Sequence, residues 1–257
     1  MVSARTFLVS LAAVTCAFAQ GEQRLASNSF TQSAPPRADA VKLTPEQRGD
    51  VYMARKMFRE AIDSYREGPQ NAAVTWNKIG IAYHQLGDFG AARRNYEKAI
   101  KLDRKYADAV NNVGTVYYAE KRYKTAISRY RHALELKPET ASFWSNLGTA
   151  YYSRGKFQDM TNAYEKALSI DPDVFEHRGT VGTELQDRSV TDRARYHYEM
   201  ARMYAKAGKN ELALQYLRKS LEEGLKDKTK MTSVPEFAAI RETPEFQELL
   251  TLEPRVL

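Results

Sequence analysis

Residues 141–174 read ASFWSNLGTAYYSRGKFQDMTNAYEKALSIDPDV, and this stretch decides the fold. Trp144, Leu147, Gly148 and Tyr151 fall at the i, i+3, i+4, i+7 spacing of one buried helical face. Gly155 marks a turn, because the residue after a helix end often needs φ > 0, where glycine meets no steric penalty. Phe157, Met160, Tyr164, Ala167 and Leu168 then line one side of a second helix, and Asp171-Pro172 stops it. The expectation is a helical hairpin.

The same register recurs upstream. Gly80, Gly114 and Gly148 are spaced 34 residues apart. In phase with them stand Trp76, Val110 and Trp144; Ile79, Val113 and Leu147; Tyr83, Tyr117 and Tyr151. The second helix repeats as Phe89, Tyr123 and Phe157; Ala92, Ala126 and Met160; Tyr96, Tyr130 and Tyr164; Ala99, Ala133 and Ala167. Gly at the centre of the first helix lets the second approach, and aromatic rings fill the seams between neighbours. One hairpin cannot bury its apolar face alone, so the units must stack.

In its large, small, aromatic and proline positions the stretch resembles the tetratricopeptide repeat (TPR) family. The resemblance implies an all-α fold, a right-handed superhelical solenoid of antiparallel helix pairs whose A helices line a concave surface. It also implies a non-enzymatic scaffold that binds a protein or peptide.

The chain has 257 residues, of which 28% are charged, and a net charge of +7. Its one cysteine, Cys16, lies in the extreme N-terminal stretch, which leaves the rest without disulfide or thiol chemistry. That stretch reads as a signal peptide over residues 1–19: Arg5, an apolar run from Phe7 to Val14, and an A-x-A site at Ala17-Phe18-Ala19. Two readings compete with it, a lipoprotein signal at Cys16 and an uncleaved anchor. The first lacks a small residue at Val14-Thr15, and the second is shorter than the ~20 apolar residues of a span. Export to the periplasm or the cell exterior is the expectation, with no integral membrane span once the signal is removed.

Residues 20–41 are polar, contain Pro35-Pro36 and read as a disordered linker. A short first unit over 42–72 opens with Thr44 as cap, Pro45 at the first helical position and Gln47 reaching back. Gly68-Pro69 interrupts its second helix, which should lose about one turn, or ~3.6 residues. Regular units occupy 73–106, 107–140 and 141–174, and an irregular insertion follows at 175–192. Gly148 to its next equivalent, Ala201, spans 53 residues, one repeat plus 19. A degenerate unit at 193–226, capped by Asp192, carries Met200, Ala201 and Tyr204, then Gly208, then Ala213, Leu217 and Leu221. Capping helices at 227–257, with starts near Pro235 and Pro244, should cover the last repeat through Phe237, Ile240, Phe246, Leu249 and Leu250.

Motifs of catalysis are missing: no Gly-rich phosphate loop, no H-E-x-x-H, no cysteine metal site and no G-x-S-x-G occurs. His177 with Glu176, Glu184 and Asp187 reads as a solvated loop rather than a metal cluster, and no cofactor or metal is expected. Nucleic acid is not an expected partner either.

In the family, repeat positions 2, 5, 6, 9, 12 and 13 point into the concave groove. The resemblance therefore implies Asn77, Lys78, Ile81, His84 and Gln85 from the second unit, and Asn111, Asn112, Thr115 and Tyr118 from the third. The fourth offers Ser145, Asn146, Thr149 and Tyr152, and the fifth Arg195, Tyr198, Arg202 and Lys206. Amides donate and accept, which suits the backbone of an extended peptide whatever its sequence. Asn112 and Asn146 are the expected clamp, with Arg195 and Arg202 favouring an acidic segment. The carboxylate-clamp subtype needs Lys at position five and Asn at nine. Asn77 and Ile81, or Asn111 and Thr115, stand there instead. Arg93, Arg94, Lys98, Lys101, Lys121, Arg122, Lys124, Arg129 and Arg131 make the outer face basic. Docking of an envelope assembly through that face or the 175–192 insertion is the alternative to groove binding.

Overall fold

The computed structural model describes residues 42–175, 190–225 and 227–252, so the readings made for 1–41 and 176–189 lie outside the described residues. Four hairpins follow one another: α1 (Pro45–Ala54) with α2 (Phe58–Arg66), α3 (Ala73–Gln85) with α4 (Phe89–Leu102), α5 (Ala107–Ala119) with α6 (Tyr123–Leu136), and α7 (Ala141–Ser153) with α8 (Phe157–Ile170). A fifth pairs α9 (Val190–Lys206) with α10 (Asn210–Glu222). The tail holds α11 (Thr229–Ser233), a 3-10 turn (Pro235–Phe237) and α12 (Pro244–Thr251). Among the described residues there is no strand, and the fold is all-α as expected.

Local signals place the helix ends. Thr44 and Gln47 form the reciprocal capping box, with Oγ1 accepting from the Gln47 N–H (3.2 Å) and Oε1 accepting from the Thr44 N–H (3.0 Å). Asp88 Oδ1 accepts from the Ala91 N–H (2.8 Å) and starts α4. Helix α2 has nine residues where α4, α6 and α8 each have 14. Its shortness follows from Gly68-Pro69, since proline lacks the N–H that would extend the ladder and biases the residue before it away from helix. Gly155 turns with φ +71, the left-handed conformation its position demands. Asp192 does not cap α9; the helix starts two residues earlier and Asp192 sits in its first turn.

Within each of the first four hairpins a tyrosine of the second helix lies flat over a glycine of the first. A Cβ on Gly148 would stand 2.4 Å from Tyr164, on Gly114 2.6 Å from Tyr130, on Gly80 2.5 Å from Tyr96, and on Gly49 2.3 Å from Tyr65. Tyr96, Tyr130 and Tyr164 are correspondingly buried. In the fifth hairpin Ala201 and Leu217 occupy the two positions, a larger residue facing a smaller one, and both are buried. Trp76 and Trp144 add a second tie, each indole N–H donating to a carbonyl of the preceding connection, Gln70 (2.8 Å) and Pro138 (2.7 Å).

The tail covers the last hairpin. Met231, Phe237, Ile240, Phe246 and Leu249 are buried in one cluster with Ala213, Leu217 and Leu221. This removes the exposed apolar face that would otherwise end a solenoid.

The fifth hairpin does not continue in the register its sequence implies. In a regular seam the start of one second helix meets the end of the next first helix: Arg93 in α4 lies 3.5 Å from Glu120 and 5.8 Å from the Tyr117 ring. At α8 and α9 the starts meet instead. Arg195 lies 4.1 Å from the Phe157 ring, and Tyr196 packs 4.8 Å from Tyr152. Beyond them, Lys206 pairs with Glu165 (2.8 Å) and Lys209 with Asp173 (2.6 Å) at the far end of α8. Helix α9 thus runs in the same direction as α8, where α3, α5 and α7 oppose the helix before them.

Candidate functional site

The amides expected to clamp a guest are bonded to one another. Asn146 Nδ2 donates to Asn111 Oδ1 (2.9 Å), Asn111 Nδ2 to Asn112 Oδ1 (3.4 Å), Asn112 Nδ2 to Asn77 Oδ1 (2.9 Å), and Asn77 Nδ2 to Tyr106 Oη (3.3 Å). This chain of bonds crosses two seams and keeps α3, α5 and α7 in step. Asn77 and Asn111 are buried within it, at 5% and 6% exposure, and do not line an open groove. Their burial follows from satisfied hydrogen bonding, because an unpaired amide there would lose its hydration without replacement. Asn112 and Asn146 are half-buried and remain at the surface of the ladder.

Beside the ladder, Thr115 Oγ1 donates to the Asn112 carbonyl (2.8 Å), Thr149 Oγ1 to the Ser145 carbonyl (2.9 Å), and Tyr118 Oη meets Ser153 Oγ at 2.8 Å. The cross-seam pairs Asn77/Asn112, Asn111/Asn146 and Tyr118/Ser153 share one separation, 35 residues. That is the repeat plus one, a signal present in the sequence that the 34-residue alignment alone passes over. Ser153 was not among the expected site residues for that reason.

At the N-terminal end Lys78 is neutralised, its Nζ lying 2.7 Å from Glu46 and 2.8 Å from Asp50. Burial alone would raise the Asp50 carboxyl, yet hydrogen bonds from Lys78 and Tyr65 outweigh it and hold it below the ordinary carboxylate range. His84 packs 5.3 Å from Phe89, and desolvation pushes its imidazole below the usual histidine value.

Four expectations are corrected further along. Tyr152 does not face a groove; it is 3% exposed, with its ring against Phe157 (5.9 Å) and Tyr196 (4.8 Å), because the reversed α9 closes over it. Arg202 is not free to meet an acidic guest, since its guanidinium donates to Glu199 (3.0 Å) and to Glu236 of the tail (2.5 Å). Tyr198 lies beside Phe237, 6.0 Å between rings, so the chain's own tail covers that part of α9. Arg195 is exposed but stacked on Phe157, in a helix that no longer extends the row of A helices. The structure therefore gathers Asn112, Asn146, Thr115, Thr149 and Tyr118 on one face and sets Arg195 and Arg202 apart from it. Among the described residues no group of three or more His, Cys, Asp or Glu is placed to hold a metal ion.

Stacked hairpins with glycine–tyrosine contacts inside each unit and side-chain bonds between units define a helical-repeat solenoid. Family models agree on which kind: a tetratricopeptide repeat model matches residues 46–105, another matches 141–174 and 194–223, and a TPR repeat model matches 114–155. The chain belongs to the tetratricopeptide repeat family. No curated protein matches it. Among solved structures it is similar to a crystal structure of MamA, 25% identical over 68% of this chain and 93% of that one, with a TM-score of 0.47. MamA 41-end from Desulfovibrio magneticus RS-1 is 21% identical over 68% and 90%, with a TM-score of 0.46. The first TPR of Spaghetti (RPAP3) bound to the HSP90 peptide SRMEEVD is 24% identical over 43% and 90%, with a TM-score of 0.41.

Proposed function

We propose that this chain is a non-enzymatic scaffold that holds an extended polypeptide against the inner face of units two to four. One observation carries the reading: the half-buried Asn112 and Asn146, with Thr115 and Thr149 beside them, form a row of uncharged donors and acceptors fixed in step by the amide ladder. A guest that loses water against such a row recovers its main-chain hydrogen bonds there, and the row is already ordered, so little entropy is lost in aligning it. The ladder makes this a geometry for reading backbone rather than charge. An acidic guest is consequently not favoured by Arg202, whose charge is taken by Glu199 and Glu236.

The scaffold acts outside the cytoplasm in this proposal, on the strength of Arg5, the apolar run to Val14 and the Ala17-Phe18-Ala19 site. No described helix is long and apolar enough to cross a membrane.

The test plugs the row without touching the ladder. Thr115→Arg with Ala119→Arg places two long side chains on the inner face of α5. Peptides selected by the unaltered protein from a random displayed library should bind the plugged variant at least tenfold more weakly by fluorescence anisotropy. Equal affinity would remove the groove from the account.

A further inference from the structure

The net charge of this protein is not spread over it. Residues 89–137 hold twelve Lys and Arg against five Asp and Glu, a surplus of seven that equals the surplus of the whole chain. Everything outside this span balances to zero. The span is α4, α5 and α6 with their turns, and its buried face belongs to the core, so the charge emerges on the exposed sides of α4 and α6 and in the turns beside them. Arg94, Lys101, Lys124, Arg129 and Arg131 are exposed, and none of them makes an ion pair among the described residues. Among the described residues Arg93 and Arg122 pair with Glu120, and Lys98 sits 3.2 Å over the Trp76 ring.

The shape of this region matters as much as its sign. Of the five exposed cations, Arg131 borders a cavity with Trp144 and Tyr151. The others stand on two helices in adjacent repeats, Arg94 and Lys101 on α4 and Lys124 and Arg129 on α6. Leu102 lies among them at 45% exposure, between Lys101 and Arg104-Lys105. Long, exposed cations spread over two repeats beside an exposed leucine fit a broad anionic plane better than a shaped acidic ligand.

We propose that the outer face of α4 and α6, with the turns flanking them, docks on an anionic lipid bilayer. The cations meet the headgroups, Leu102 enters the headgroup layer, and the inner face of the same units is left turned away for its guest. Self-repulsion among unpaired cations would cost stability without such a partner, which is a reason for the concentration.

The experiment sediments the full chain with vesicles of phosphatidylcholine alone and of phosphatidylcholine containing one part in four of phosphatidylglycerol. Binding should be at least tenfold tighter to the anionic vesicles and should weaken as salt is raised, since exposed charges are screened. Arg94→Gln, Arg129→Gln and Arg131→Gln should each weaken it roughly five-fold, and together about a hundredfold, with circular dichroism unchanged. Arg154→Gln, an exposed cation outside the span, should leave it within about twofold. The proposal is overturned by equal binding to both vesicles, by a triple variant no weaker than Arg154→Gln, or by capture of polyglutamate or duplex DNA with the anionic vesicles left unbound.

Discussion

Units two to four and the fifth hairpin solve the same packing problem in two ways. In the regular units a tyrosine rests on a glycine and the seam is joined by neutral amides, as in Gly148 under Tyr164 and Asn146 bonded to Asn111. The fifth hairpin sets Leu217 against Ala201, and its seam to α8 is joined by Lys206–Glu165, Lys209–Asp173 and a cluster of rings around the buried Tyr196. The first arrangement specifies register, because an amide ladder is satisfied at one alignment only. Rings and long ion pairs tolerate a change of helix direction, and α9 has taken one. What the contrast teaches is that conserving the size of a hairpin's core does not conserve its orientation in the stack.

The largest test of that contrast is Gly148→Ala. The added methyl meets the Tyr164 ring, and overpacking of this kind should cost about 3 kcal/mol in chemical denaturation. Adding Tyr164→Leu, which reproduces the pairing of the fifth hairpin, should recover at least half of the loss; no recovery would show that the two cores are not interchangeable. Next comes the seam. Asn111→Leu leaves Asn146 and Asn112 without their buried partner and should cost about 2 kcal/mol, whereas Lys206→Ala at the exposed seam should cost under about 1 kcal/mol. Similar costs at both seams would erase the distinction drawn between ladder and ion pair.

The smallest expected effect is a pH dependence of the fifth hairpin. His197 is buried, with Nδ1 2.6 Å from Glu223 and rings of Tyr196 and Tyr216 beside it. Desolvation lowers its imidazole below the ordinary value, and Glu223 offsets this only in part. A depressed histidine favours the neutral form in the fold, so its contribution is intact above the unfolded value of about 6.5 and is lost as pH falls below it. Hydrogen exchange in α9 and α10 should therefore quicken between neutral pH and pH about 5 more than in α5 and α7, after correction for intrinsic rates. His197→Gln should flatten the difference; a slope that persists in that variant would assign it elsewhere.

Much of this was legible beforehand. The 34-residue spacing of Gly80, Gly114 and Gly148 announced the hairpins, since only glycine admits a ring so close to the backbone. Thr44 and Gln47 announced the first helix, and Pro69 its shortened partner, because caps and proline act within a few residues. The candidate face was less legible. Positions five and six were both expected to point at a guest, but Asn77 and Asn111 face the next unit's asparagine, a choice made by the offset between helices. Tyr152 and Arg202 were misplaced because α9 and the tail, distant in sequence, come to rest on them.

Sequence alone determined the family, the number of regular units, the start of the first helix and the shortening of its partner, and the concentration of charge between residues 89 and 137. These depend on local sterics, backbone hydrogen bonding and periodicity, which reach no further than a turn or one repeat. Tertiary structure alone decided the direction of α9, the closing of the ladder and the neutralising of Lys78 and Arg202. Each of those turns on which helix lies beside which, and a repeat pattern is silent on that once an insertion has broken its phase.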